Sequence, residues 1–224
     1  MSLFAELVAV VAPPVCAACG AGLPRSDGLV CGPCLRALPW IGRGGCPRCA
    51  LPAHRGRACP AWGASFASAW APLAYEATAR DLVIALKFRS ALPLAGLMAA
   101  QMSANAPPLP EDAVVVPVPA APARLRSRGF DPADHLSRAL ALRLGVPSSA
   151  CLRRRDRSAR QVGAGRSERR SGGRLVVEVR GTSPRVVLLV DDVHTTGATL
   201  QACAVALRDA GAESVHAITY ARTL

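Results

Sequence analysis

Three Cys-x-x-Cys pairs open the chain: Cys16-Ala-Ala-Cys19, Cys31-Gly-Pro-Cys34 and Cys46-Pro-Arg-Cys49, with eleven residues between each pair and the next. A CxxC turn aims two thiolates at one tetrahedral ion, and a second such turn closes the site with four sulfur ligands. Cys16, Cys19, Cys31 and Cys34 therefore form a complete candidate zinc site. Cys46, Cys49 and Cys59 offer three ligands to a second, with His54 as the candidate fourth. Against that completion, a lone histidine in a Gly/Arg loop is often merely solvated, and Trp62 stands where a CxxC partner of Cys59 would be. Seven of the nine cysteines lie in the first 59 residues. A segment so short and loop-rich buries too little to hold itself together, so it needs a staple. Four-ligand closure leaves no position for a reactive water, and one or two structural Zn2+ ions are expected.

The start, MSLFAELVAVVAPP, carries Glu6, lacks a basic leader and falls well short of the ~20 apolar residues that cross a bilayer. It reads as a short amphipathic helix ended by Pro13-Pro14, and no membrane span is expected. Without an export signal the expected compartment is the cytoplasm, where thiols stay reduced and paired cysteines point to metal. The net charge of +12 comes almost wholly from arginine, because Lys87 is the only lysine. Nine arginines fall between Arg153 and Arg174 against Asp156 and Glu168. Such a cluster attracts polyanions, whether nucleotide phosphates or nucleic acid, although a solvated surface loop has the same composition.

From about residue 66 short β-rich runs alternate with helical ones. VVVPVP (114–119), LVVEV (175–179), VVLLV (186–190) and SVHAIT (214–219) read as strands. Asp131 is a helix N-cap with Pro132 at the first helical position; Leu136, Leu140 and Leu144 follow at four-residue spacing, and Gly145 is the stop. TLQACAVALRDAGA places Leu200, Cys203, Ala204 and Leu207 on one helical face before Gly211. The alternation predicts an α/β domain with a mostly parallel sheet covered on both faces.

The most informative stretch is VVLLVDDVHTTGATL (186–200). Ligands of such sheets sit off the carboxyl ends of strands. There Asp191 and Asp192 follow five apolar residues, and HTTGAT turns into a helix. Amide N–H groups at that helix start form an anion cradle, with Gly197 allowing close approach and Thr195, Thr196 and Thr199 adding hydroxyls. Two carboxylates cannot hold a phosphate, but they accept hydrogen bonds from vicinal hydroxyls. One molecule bearing both groups is a ribose 5-phosphate. An ordinary strand-turn-helix would leave the carboxylates without purpose at a costly position. There is no GxxxxGK[ST] or strand-borne GxGxxG. A phosphoacceptor domain would carry its acidic pair near the domain's start, whereas here only 32 residues follow Asp192.

The stretch V190-D-D-V-H-T-T-G-A-T199 resembles the 5-phosphoribosyl-1-pyrophosphate (PRPP) motif of type I phosphoribosyltransferases. With the paired knuckles, AYEATARDLVIALKFR and VVVPVPAAPARLRSRGFDPADHLSRALA, nearly the whole chain resembles the ComF family (ComF/GntX-like). The resemblance implies a helix and double zinc ribbon over 1–65 and a type I phosphoribosyltransferase-like domain over 66–224. It implies that Asp191 and Asp192, as catalytic and binding residues, take the ribose 2- and 3-hydroxyls, and that Thr195, Thr196, Gly197, Ala198 and Thr199 wrap the 5-phosphate. Arg124, Arg126 and Arg128 are the implied pyrophosphate contacts, Mg2+ enters with PRPP, and the arginine-rich 153–174 segment sits where the family keeps a loop over the site. The implied reaction is attack of a nitrogen nucleophile on ribosyl C1 with loss of pyrophosphate. His194, inside the motif, is either a base or an exposed loop residue. The alternative is a non-catalytic PRPP- or nucleotide-binding factor of competence (DNA uptake) that contacts single-stranded DNA or a DNA-processing protein, although the head has few aromatics for stacking bases.

Overall fold

The computed structural model describes residues 14–25, 27–42, 45–52, 54, 56–155 and 175–224. The expected N-terminal helix and most of the arginine-rich segment lie outside them. The cysteine-rich head contains little regular structure: a short helix α1 (Gly32–Arg36), begun by Cys31 and Pro33, and a single 3-10 turn at Gly56–Ala58. Next come β1 (Ser68–Trp70), β2 (Leu73–Ala74), α2 (Ala77–Phe88), α3 (Leu94–Asn105), β3 (Val114–Pro117), α4 (Pro122–Arg128) and α5 (Pro132–Leu144). The chain ends with β4 (Leu152–Arg155), β5 (Val176–Val179), β6 (Val186–His194), α6 (Ala198–Asp209) and β7 (Ser214–Arg222).

The main sheet has the order β1-β7-β6-β3, with β2 continuing the β1 edge beside β7, and all of its pairings are parallel. Two apolar layers seal it. On one face Leu188, Val190, Ile218 and Tyr220 join Leu82, Leu86, Met98, Met102, Leu136 and Leu140 from α2, α3 and α5. On the other, Val187, Leu189, Val215 and Ala217 meet Leu200, Cys203, Ala204 and Leu207 of α6. Alternate residues of VVLLV thus enter opposite cores, which is why the run is apolar throughout. Helix α5 starts and stops as its residues dictate: the Asp131 carboxylate accepts from the Ala133 N–H at 3.0 Å, and Gly145 closes it in the left-handed conformation at φ 68°.

Two expectations need correction. LVVEV does not join the main sheet; β5 pairs antiparallel with β4 as a separate ribbon beside α6. Its Glu178 bonds Arg155 at 2.6 Å, and a strand carrying that pair could not be buried on both faces. Arg153, Arg154 and Arg155 accordingly stand in a strand rather than in a loop. Strand β6 also runs past Val190 to His194, because β7 continues alongside it with Asp191 opposite Thr219 and His194 opposite Arg222. The acidic pair therefore sits within the strand's last turns of pleat instead of beyond its end.

Leu140, fully buried in the first layer, gives a direct check of this core. Leu140→Ala is expected to cost about 2–5 kcal/mol in chemical denaturation, the range for a cavity that relaxes only partly; an unchanged midpoint would contradict the packing.

Candidate functional site

Both cysteine sets close. One ligand atom from each of Cys16, Cys19, Cys31 and Cys34 lies within 4.8 Å of the others, and the same holds for Cys46, Cys49, His54 and Cys59. Sulfur separations of 3.8 Å (Cys19–Cys31) and 3.7 Å (Cys46–Cys59) are far from a disulfide bond of ~2.05 Å. They match the edge of roughly 3.8 Å for a tetrahedron with metal–sulfur bonds of ~2.3 Å. His54 Nε2 stands 3.2 Å from Cys49 Sγ, so the histidine left open by sequence completes the second set. Backbone N–H groups of Cys31 and Ala61 point at Cys16 Sγ and Cys59 Sγ, at 3.3 and 3.4 Å, and stabilise the thiolates that zinc requires. Trp62 is no ligand: it is exposed, with the Arg48 guanidinium 5.9 Å from its ring centre.

The acidic pair lines a cleft of about 350 Å3 with Thr195, Thr199, Arg124, Arg128, Arg154 and Lys87. Strand alternation sends the two carboxylates different ways. Asp192, 6 % exposed, is bound by the Lys87 ammonium at 2.6 Å. Asp191 turns back, its Oδ1 accepting from the Asp192 N–H at 2.8 Å. Burial, and then the Asp192 charge beside it, push the Asp191 carboxyl well above the usual carboxylate range. Helix α4 supplies the arginines. Arg124 and Arg128, four residues apart, share the face that lines the cleft, whereas Arg126 is exposed and outside its wall, because two residues of helix turn a side chain by about 200°. Arg128 is further held over the rings of Phe88 (5.1 Å) and Phe130 (6.0 Å).

At the loop, Gly197 adopts φ 79° as the N-cap of α6, and a Cβ there would stand 2.8 Å from His194 Nε2. Both conditions require glycine. Thr196, Gly197 and Ala198 line a neighbouring cleft of about 360 Å3 on the head side, so the loop forms a wall between two depressions. His194 is neither exposed nor directed at the acidic pair. It is 3 % exposed in that second cleft, edge-on to Phe66, and its Nδ1 has no hydrogen-bond partner among the described residues. Burial, with the nearby Arg222 charge, lowers its pKa to about 4, so it is neutral at physiological pH. Sequence reasoning passed over Lys87 as a site residue and placed Arg154 only within a loop over the site. The signal for Lys87 was its standing as the only lysine in an arginine-rich chain. A larger cavity of about 490 Å3, beside Trp70 and Pro107–Pro110, is mainly apolar and contains neither Asp191 nor the threonine loop.

Residues 7–62 match the double zinc ribbon domain family, and residues 125–223 match the phosphoribosyl transferase domain family. Over 209 residues the chain is 28% identical to competence protein ComFC of Streptococcus pneumoniae (strain ATCC BAA-255 / R6), covering 89% of this chain and 90% of that protein. Among solved structures it is similar to the glutamine PRPP amidotransferase from B. subtilis complexed with ADP and GMP (27% identity, 58% of this chain, 26% of that one, TM-score 0.36). It is also similar to a structure described as the allosteric regulatory enzyme of purine biosynthesis (25% identity, 58% of this chain, 25% of that one, TM-score 0.35). The chain spans about a quarter of those two enzymes' length. Fold and site thus define a phosphoribosyltransferase-like α/β domain behind a double zinc ribbon. The two matched units, in this order, and the similarity to ComFC together support assignment to the ComF family.

Metal analysis of the purified chain is expected to return two zinc per chain, and His54→Ala to retain one; equal content in the two would exclude His54 as a ligand. Asp191 gives a signed pH prediction. Its folded pKa is raised, so its contribution to stability is full below the ordinary carboxylate pKa of about 4 and is lost as pH rises through the folded value. Asp191→Asn should therefore unfold at a higher temperature than wild type at neutral pH, with the gap narrowing in acid. A less stable variant at pH 7 would contradict this.

Proposed function

We propose that this phosphoribosyltransferase-like protein binds PRPP with Mg2+ in the Asp191–Asp192 cleft and transfers the phosphoribosyl group to a nitrogen acceptor. Residues 1–65 would form the ribbon unit and 66–224 the transferase-type domain. The observation that carries this is the lining of one cleft, which brings together two carboxylates, Thr195 and Thr199 of the turn into α6, and three arginines. PRPP has the complementary order, with a vicinal diol, a 5-phosphate and a pyrophosphate at C1. The carboxylates accept from the diol, the loop amides and Thr195 and Thr199 hold the 5-phosphate, and Arg124, Arg128 and Arg154 face the pyrophosphate. A volume near 350 Å3 is in the range of small-ligand clefts, about 300–1,000 Å3.

Chemically, the acceptor nitrogen forms a bond to C1 as the C1–O bond breaks, pyrophosphate leaves with the bonding electrons, and the acceptor's proton passes to solvent. Positive charge builds on the ribose ring in that step, so carboxylates beside the ring lower its energy while arginines stabilise the departing anion. Mg2+, which the Asp191 and Asp192 carboxylates would help to hold, would supply further positive charge to the leaving group. Lys87 donates to Asp192 Oδ1 at 2.6 Å and holds that side chain in place for the diol. No side chain need bond covalently to the sugar.

The second function, a PRPP-binding factor without turnover that serves DNA uptake, is favoured by one finding: similarity along nine-tenths of the chain to a competence protein. Pyrophosphate release from Mg2+·PRPP with a panel of bases and amines separates the two. Release dependent on one acceptor supports transfer; tight PRPP binding without release for any acceptor supports the second function. Under both, Asp191→Asn/Asp192→Asn should weaken PRPP by roughly 10- to 100-fold in calorimetry, the scale for lost charged hydrogen bonds. Unchanged affinity would reject the ribose role.

A further inference from the structure

Arg222, the last residue of β7, is 5 % exposed, and its hydrogen-bond acceptors among the described residues are main-chain carbonyls. Its Nε donates to the Cys49 carbonyl at 3.0 Å, and its Nη1 donates to the carbonyls of His194, at 2.8 Å, and Thr195. Cys49 belongs to the second metal-binding set, in which its Sγ faces His54. His194 and Thr195 lead into the loop that turns at Gly197. One buried guanidinium thus joins the backbone of a metal knuckle to the backbone of the anion-binding loop. Arginine suits this position because its planar fork donates in several fixed directions and stays charged when buried.

A second strap runs parallel. The Gln201 side chain, in the first turn of α6, accepts from the Ser65 N–H at 2.7 Å and donates to Ser65 Oγ at 3.0 Å. Phe66 then lies edge-on to His194. The loop is therefore tied at its entry by Arg222 and at its exit by Gln201; the second tie ends on Ser65, and the first on the 46–59 segment that the second metal set organises. That segment has almost no regular structure of its own, so the position of the Cys49 carbonyl follows from ligation at Cys49. Loss of that acceptor leaves a buried guanidinium short of a partner, which costs more than the bond was worth. The cost is relieved if the loop end of the contact shifts.

We infer that Arg222 is a positioning residue that couples metal occupancy of the Cys46/Cys49/His54/Cys59 site to the order of the 195–199 loop. The metal-binding head then acts as a brace that pre-sets the anion cradle. Its affinity for a phosphorylated ligand depends on zinc that never touches the ligand. The ligand consequence rests on the PRPP function proposed above, whereas the coupling itself does not.

Amide hydrogen exchange over residues 191–201 of the full chain tests this, in wild type, His54→Ala, Arg222→Gln and the double variant, with zinc content measured in each. Emptying the second site by His54→Ala is expected to speed loop exchange on the order of tenfold, and Arg222→Gln to do the same with both zinc ions retained. The double variant should show no more than the larger single effect, because one linkage is being cut twice. Arg222→Lys, which keeps the charge but not the fork, should be intermediate and supplies the comparison if Arg222→Gln does not fold. Unchanged loop exchange in His54→Ala with the site shown to be empty, or additive effects in the double variant, would overturn the coupling. Mg2+·PRPP titration of the same set distinguishes the two proposals. Coupled exchange in a wild type that does not bind PRPP removes the ligand assignment and leaves the brace standing.

Discussion

Val187 and Leu189 pack under α6 while Leu188 and Val190 enter the core built with α3 and α5, so β6 is sealed on both faces up to Val190. A strand sealed in this way cannot accept a charge. The first position at which one can stand is where the covering layers thin, and there Asp191 and Asp192 occupy successive residues with side chains on opposite sides of the pleat. Even so, neither is free of cost. Asp192 is tied to Lys87 at 2.6 Å, and burial pushes the neighbouring Asp191 toward its neutral form. Keeping that carboxyl buried costs the folded protein stability.

The head contributes differently. It brings few apolar residues to the core and would not hold a shape by burial alone, yet it is joined to the sheet at several points. Trp40 bridges to Leu73, the Ile41 N–H bonds the Pro72 carbonyl, and the Ala69 N–H bonds the Pro47 carbonyl. Metal ligation fixes the knuckles, the knuckles fix these carbonyls, and Arg222 carries that order to the turn at Gly197. The ribbon is thereby part of the wall of the second cleft, beside His194 and the turn at Gly197.

Much of this was legible in the sequence because short-range rules govern it. Cysteine spacing identifies one complete metal set, the Asp131-Pro132 start and Gly145 stop bound α5, and the run VVLLV-Asp-Asp with its threonine-glycine turn marks the ligand end of the central strand. What was not legible depends on partners far apart in the chain. Lys87 meets Asp192 across 105 residues, and Arg222 meets Cys49 across 173. Whether His54 is a ligand or a solvated loop residue is decided by three-dimensional closure. The burial of His194 follows from β7 extending β6, which a local pattern does not disclose. LVVEV looked like a sheet strand because alternation is the same in a two-stranded ribbon, and only pairing separates the two. The family resemblance grouped Arg126 with Arg124 and Arg128, and helical phase places it outside the lining of the cleft.

A crystal structure of the chain with Mg2+ and PRPP bears most directly on the central claim, that one phosphorylated sugar spans the acidic pair and the threonine turn. The account predicts the 2- and 3-hydroxyl oxygens within hydrogen-bond distance of the Asp191 and Asp192 carboxylates and the 5-phosphate against the amides of 195–199. Density for the sugar in the cavity beside Trp70, or a 5-phosphate on the α4 arginines with the loop unoccupied, would contradict it.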